Sequence, residues 1–218
     1  MELTVDIEQE IAVIESGIIH TKYANEICEM IETAAKIRGT GIAKRNPLYI
    51  AQKLQEGKSI IAFAGDKVIG FCYIETWEHE LYVANSGLIV HPDYRYVGLA
   101  KQIKETAFKL SRRRYPNAKI FGLTTSLAVM KINSDLAYKP VTFSELTTDQ
   151  SFWQGCASCI NYDILQRTNH KMCLCTGMLY DPSKEVKQTH QHKYDKKVWT
   201  RLKNIKQSMF LKKEKRDE

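Results

Sequence analysis

Leu88-Ile-Val-His-Pro-Asp-Tyr-Arg-Tyr-Val-Gly-Leu-Ala100 is the stretch that decides the fold. Its apolar start reads as a strand, Arg95-x-x-Gly98-x-Ala100 as a tight turn, and the residues that follow as an amphipathic helix. A turn of this kind points successive backbone N–H groups at one spot, at the positive end of a helix dipole. That spot suits a phosphate or pyrophosphate. Gly98 and Ala100 leave room for a ligand to touch the main chain, and Arg95 adds a fixed positive charge.

Working outward toward the N-terminus, Leu81–Val90 is a strand, preceded by Ser59–Ala64 and Val68–Glu75 around a Gly65-Asp66-Lys67 hairpin. Ile11–Ile14 is a first strand. Between it and the hairpin, Ile27, Met30, Ile31, Ala34, Ala35 and Ile37 recur at helical spacing up to Gly39, and Pro47 opens a second helix that ends near Gly57. Toward the C-terminus come a helix over Leu99–Arg113, a buried strand at Lys119–Thr124 and a helix at Leu127–Leu136. A strand starting at Val141–Phe143 and a last strand over Met172–Tyr180 complete the series. The order β-α-α-β-β-β-α-β-α-β predicts an α/β domain. Its mixed sheet is antiparallel in the front half and parallel around the signature helix, with helices on its flanks.

The chain of 218 residues is long enough for one good core, read here as a single domain over 1–182 with a tail over 183–218. The net charge of +7 lies entirely in the tail, which holds 12 Lys/Arg against 5 Asp/Glu, while residues 1–182 carry 20 of each sign. A basic pI therefore describes the tail, not the domain. Apolar runs such as Ile60–Ala64 are too short to span a bilayer. Met1-Glu-Leu-Thr-Val-Asp6 lacks the basic and apolar regions of a signal peptide, so the reading is cytoplasmic, with reduced cysteines.

The Arg95–Ala100 spacing resembles the acyl-CoA signature of the GNAT N-acyltransferases, (Gln/Arg)-x-x-Gly-x-(Gly/Ala). The element order is that of the GNAT fold, with the signature between the fourth strand and third helix. Over roughly residues 11–181 the likeness is greatest to the acyltransferase domain of N-acetylglutamate synthases, with no trace of the kinase-like domain many of these carry. The matching stretches are Gly41-Ile-Ala-Lys-Arg-Asn-Pro47, Glu56-Gly-Lys-Ser-Ile-Ile61, Val90-His-Pro-Asp-Tyr-Arg95, Phe121-Gly-Leu-Thr-Thr125, Lys139-Pro-Val141 and Asn161-Tyr-Asp-Ile-Leu-Gln-Arg167.

The resemblance implies transfer from acetyl-CoA or another acyl-CoA to an amine. The N–H groups of Arg95, Tyr96, Val97, Gly98, Leu99 and Ala100 would hold the pyrophosphate. The pantetheine arm would add like a strand along Leu88, Ile89 and Val90, whose main chain also reaches the thioester oxygen. Arg38, Lys44 and Arg45 lie in a loop with no acidic residue between Gly39 and Gln55, which suits an acidic acceptor. A solvated basic loop is the plainer reading. The acceptor expected first is the α-amine of glutamate, in arginine biosynthesis. Another small amine, a protein amine, or a non-catalytic acyl-CoA-binding module are the alternatives.

Glu75 and Glu80, beside Glu78 and His79, are the candidates for general base. Many family members carry a tyrosine acid five residues before an aromatic in the fourth helix. Here the aromatic is Tyr138 and the position is Asn133, which cannot donate an acidic proton but can hydrogen-bond the cofactor.

Cys156-x-x-Cys159 and Cys173-x-Cys175, in the Cys-rich segment 152–181, have a spacing that suits a structural Zn²⁺, with simple burial as the other reading. In the tail, Trp199, Leu202, Ile205, Met209 and Phe210 form an apolar stripe among lysines. Docking on the body or a subunit contact, as in a homodimer, is the expectation, a partner helix is an alternative, and binding to an anionic membrane or nucleic acid is the lesser reading, since the body shows no nucleic-acid motif.

Overall fold

Lys67 pairs with Ala64 across Gly65-Asp66, and Gly65 takes φ +58°, a left-handed value that glycine adopts without cost. This hairpin is the seed of the sheet in the computed structural model, which describes residues 10–38 and 43–184. The elements are β1 (Ile11–Glu15), α1 (Ala24–Arg38), α2 (Pro47–Gln55), β2 (Ser59–Ala64), β3 (Lys67–Trp77), β4 (Tyr82–Val90) and α3 (Leu99–Arg114). There follow β5 (Lys119–Thr124), α4 (Leu127–Asp135), β6 (Lys139–Val141), α5 (Gln150–Gln154), α6 (Tyr162–Arg167) and β7 (Thr176–Tyr180).

The strands make one sheet in the order β1-β2-β3-β4-β5-β7-β6. Every neighbouring pair is antiparallel except β4 and β5, which are parallel and joined through α3. The expected mixed sheet with flanking helices is what forms. All six residues of β2 are buried, because helices cover both its faces. On one face α3 lays Leu99, Ile103, Ala107 and Leu110 against Ile60, Ala62, Ile69 and Ile74. On the other, Ile27, Ile31, Ile50 and Leu54 of α1 and α2 pack on Ile61, Phe63 and Phe71. Each such side chain contributes roughly 1.5–3 kcal/mol by leaving water. Asn46 accepts from the Leu48 N–H and Pro47 follows it, so α2 begins where a cap and a fixed φ coincide.

A third cluster, with Ala84, Phe121, Phe143, Trp153, Leu165 and Leu179, covers the far end of the sheet. Here the structure departs from expectation. The last strand starts at Thr176 rather than Met172, because Thr168 Oγ1 bonds both the N–H and the C=O of Met172 and ties that stretch into a turn. The sixth strand is Lys139–Val141, since Thr142 and Glu145 cap each other around a 3-10 turn at Phe143–Glu145. α5 and α6, of five and six residues, are too short for a helical period to show in sequence.

The unit containing the sheet ends at Tyr180, and Asp181 begins a second one. The tail stripe at Trp199–Phe210 lies outside the described residues, as does the loop 39–42. Among the described residues no helix is long and apolar enough to cross a membrane.

Candidate active site

β4 and β5 pair only from Tyr82↔Lys119 to Ala84↔Phe121 and then part. From Asn85 onward one edge of β4 is released from the sheet. On its other edge β4 is bulged. Tyr73 pairs with Ser86 and Phe71 with Ile89, so Gly87 and Leu88 together stand opposite the single residue Cys72. Gly87 sits at φ +67°, and a Cβ there would lie 2.8 Å from the Tyr73 ring, so only glycine fits. A bulge re-aims the main chain, and here it does so beside the opened edge.

The parting of the strands opens a cleft of about 560 Å³. β4 lines it with Asn85, Gly87, Leu88 and Ile89, β5 with Gly122 to Thr124, and α3 with Lys104. Asn133 of α4 is 1% exposed, and its Oδ1 has no hydrogen-bond partner. A buried acceptor left unpaired is costly, and this one lies in the wall of the cleft.

The Arg95–Ala100 turn stands apart from the cleft lining, at the mouth of α3. Gly98 holds φ +83° as the cap of that helix, Tyr96 is fully exposed, and Leu99 is buried beneath. Arg95 donates through Nε to the Val90 carbonyl at 3.4 Å, which ties the turn to the end of β4. The first intrahelical N–H bonds are those of Lys101 and Gln102 to the Gly98 carbonyl, so the N–H groups ahead of them lie at the positive end of the helix dipole without an intrahelical acceptor. Of the Leu88–Val90 run, Leu88 and Ile89 line the cleft and Val90 packs into the core.

On the acceptor side, Lys44, Arg45 and Glu75 line the cleft. Arg45 donates through Nε to the Tyr73 hydroxyl at 2.8 Å and through Nη1 to the carbonyls of Ala43 and Lys44 at 3.0 Å. Burial works against its charge, but Tyr73, with Tyr49 and Cys156, more than offsets this, and its pKa is raised. Lys44 is exposed and pairs with Glu32 at 3.2 Å. Both loop cations thus have partners of their own, while the Arg38 side chain lies outside the described residues.

Glu75 accepts from Lys53 Nζ at 2.5 Å on one oxygen and from the Tyr49 hydroxyl on the other. Burial, with the neighbouring Tyr73 and Glu75, pushes the Tyr49 phenol far above its usual range, so it stays a donor. Glu80 is exposed in the β3–β4 turn, with φ +67°, and does not line the cleft. His79 beside it is exposed as well. Glu78 is structural: it accepts from Thr147 Oγ1 at 2.8 Å and from the Thr148 N–H at 2.5 Å, fastening the turn to the segment before α5.

The four cysteines of the segment all line the cleft, yet the expected zinc site does not form. Among the described residues no three His, Cys, Asp or Glu side chains gather so as to hold a metal. Residues 173–175 precede β7 instead of lying in a strand, so the period-two argument for Cys173 and Cys175 fails. Cys173 points its thiol at the Asn161 carbonyl, 3.9 Å away. Burial, and after it the neighbouring thiols, lift Cys156 to about 11 and Cys175 to about 12.

Three features escaped sequence reasoning. Gly87 had a signal, a glycine inside a strand pattern. Lys104 had one too, because Ala100, Lys104, Ala107 and Ser111 continue the apolar stripe of α3. Tyr73 and Tyr49 read as ordinary sheet and helix residues.

Residues 43–131 match the model of the Acetyltransferase (GNAT) family, a span that holds α2, the split strands' β4, the signature turn and α3. The match spans less than half of the chain, and the fold it falls on is that of the GNAT N-acyltransferases. No curated protein matches the whole sequence significantly. Among solved structures, N-acetylglutamate synthase from Neisseria gonorrhoeae, complexed with coenzyme A and N-acetyl-glutamate, superposes with a TM-score of 0.58 and 12% identity. The match covers 79% of this chain but only 35% of the gonococcal one, so this chain spans about a third of that synthase. A Mycobacterium tuberculosis protein in complex with CoA gives 0.55 at 16% identity, over 78% of this chain and 98% of that one. Diaminobutyrate acetyltransferase from Paenibacillus lautus, in complex with its substrate and coenzyme A, gives 0.54 at 10%, over 80% and 96%. Identities this low speak for the fold.

Proposed function

We propose that this protein moves an acetyl or other acyl group from acyl-CoA to the amine of a small molecule, with the α-amine of glutamate, in arginine biosynthesis, as the first candidate acceptor. The observation that carries the reading is the parting of β4 from β5 directly behind the α3 turn. It leaves a strand edge for an amide-rich arm, next to a turn whose N–H groups suit a pyrophosphate. The unpaired Asn133 Oδ1 supports an amide-bearing ligand in the same cleft.

In this reading the main chain at Leu88 and Ile89 holds the thioester oxygen, and preorganised donors of that kind lower a barrier by about 3 kcal/mol. Glu75 accepts the proton that the attacking amine must lose, through water, and the Lys53 and Tyr49 contacts keep its carboxylate aimed. Lys44 and Arg45 give the acceptor end positive character, and the N-acetyl-glutamate bound in the gonococcal synthase structure supports glutamate.

A second reading, transfer to another small amine, rests on a specific observation: Lys44 is paired with Glu32, and Arg45 is bonded to Tyr73 and to loop carbonyls. Cations so engaged clamp a carboxylate less well. CoA release by the full chain, with acetyl-CoA and succinyl-CoA offered against a panel of amino acids and diamines, separates the readings. Saturable release with glutamate is expected. Release with a different amine discards the glutamate assignment, and tight acetyl-CoA binding without release to any amine discards catalysis.

A further inference from the structure

Lys104 is 2% exposed, and its hydrogen-bond partner is the neutral amide of Asn85, not a carboxylate. Lysine is almost never buried this deeply without a reason. Its Nζ donates to Asn85 Oδ1 at 3.1 Å and lies over the Tyr138 ring, 5.1 Å from the centroid. Asn85 is itself fixed, since its Oδ1 also accepts from the Tyr138 hydroxyl at 2.9 Å and its Nδ2 donates to Ser111 Oγ at 2.9 Å. An ammonium has three N–H bonds, and Asn85 takes one.

Position makes this cation significant. Asn85 and Gly122 are the first residues beyond the last β4–β5 pair, and a Cβ on Gly122 would lie 3.8 Å from Lys104 Nζ. The ammonium therefore sits at the apex of the split, where the lining of the cleft passes from one strand to the other. Position 133, where the family commonly places its acid, holds an asparagine in the same cleft wall.

We infer that Lys104 is the acid that protonates the departing sulfur of acyl-CoA. The inference rests on the acyl-transfer reading above. The amine nitrogen bonds to the thioester carbon, the C–S bond breaks with its electron pair going to sulfur, and a Lys104 N–H proton passes to that sulfur to give the thiol. The proton lost by the amine leaves through Glu75 and water, and the neutral Lys104 regains a proton from solvent after the products depart. Burial brings the Lys104 pKa down to about 8. That is close to an ordinary thiol near 8.5, so the transfer to a thiolate runs slightly downhill. The titratable groups facing it are Cys72 of β3 and Tyr138 beyond α4. Burial raises both, Cys72 to about 11, so neither titrates near pH 8.

The test uses the full chain, acetyl-CoA and the best amine of the panel, glutamate first. Lys104→Met should lower kcat about 100-fold or more, the usual scale of a general acid, with the acetyl-CoA Kd by calorimetry little changed. The wild-type kcat should fall as pH rises past about 8, where the acid is lost, and that alkaline limb should vanish in the variant. Lys104→Arg keeps the charge but holds its proton, so it should not restore the rate. An equal loss at every pH with the limb intact, or rescue by arginine, overturns the acid role while acyl transfer stands. No CoA release by the wild type with any amine overturns acyl transfer, and this role with it.

Discussion

The two sides of the cleft are built by different means. The donor side is regular structure: a bulged strand and a sixteen-residue helix packed on the central sheet, joined by an exposed glycine turn. The acceptor side is a patchwork of the 43–46 loop and short helices after β6, held by bonds between side chains and main chain. Arg45 Nη1 reaches the Gly155 carbonyl at 3.5 Å, Ser158 Oγ the Lys44 carbonyl at 3.5 Å, and Trp153 Nε1 the Thr147 carbonyl at 3.0 Å. Main chain suits a ligand arm that stays constant, whereas side chains suit one that differs between enzymes. Damage to one side should therefore register on acyl-CoA, and damage to the other on the amine.

The largest expected effect breaks the acceptor side outright. Trp153 is 2% exposed and stacked between Phe143 and His170, at 5.4 and 5.6 Å between ring centroids. Trp153→Ala should cost about 3–5 kcal/mol in denaturant unfolding. Wherever the variant still folds, its acetyl-CoA affinity should be near that of the wild type. A weakened acetyl-CoA site would show that the two sides are not separable.

Glu75→Gln probes chemistry at the border of the two sides, and kcat should fall about 100-fold, with the acetyl-CoA Kd unmoved. Full activity would transfer the base role elsewhere. Gly98→Ala touches the donor side alone. Nothing lies within 4 Å of the added carbon, so backbone strain at φ +83° is the whole effect. That strain is worth about 1–2 kcal/mol, read as roughly ten-fold weaker acetyl-CoA binding with the amine KM unchanged.

The smallest effect is a pH dependence at the acceptor-side clamp. Burial opposes the Glu78 charge, but hydrogen bonds from Thr147 and Thr148 hold its pKa below the ordinary 4.5. Because the folded value is the lower one, the stabilisation is present above about pH 4.5 and disappears as pH falls through the folded pKa. Glu78→Gln should flatten that acid limb of the melting temperature and leave the neutral-pH value nearly unchanged. An unaltered limb assigns acid sensitivity to other carboxylates.

The donor side was readable because its signals are local. Gly65-Asp66 predicts the hairpin, and Gly98 with the stripe of Leu99, Ile103 and Ala107 predicts the turn and helix. The acceptor side was not, since each of its helices is shorter than two turns and its anchors span long separations, such as Glu78 with Thr148. The cysteine spacing was equally visible and still misled. The period-two argument needs a strand at Cys173–Cys175, and the Thr168–Met172 turn delays β7 to Thr176.

The sequence by itself determined the order of the seven strands and the four longer helices, the glycine turn before α3 and the neutrality of the body, because periodicity, glycine and charge act over a few residues. Only the tertiary structure decided that β4 leaves β5 at Ala84, that Tyr73 leaves no room for a side chain at Gly87, and that Lys104 ends at the apex of the split. These depend on which strands become neighbours and on what a buried charge finds there. No local pattern encodes either, since both arise when distant segments compete for one interior.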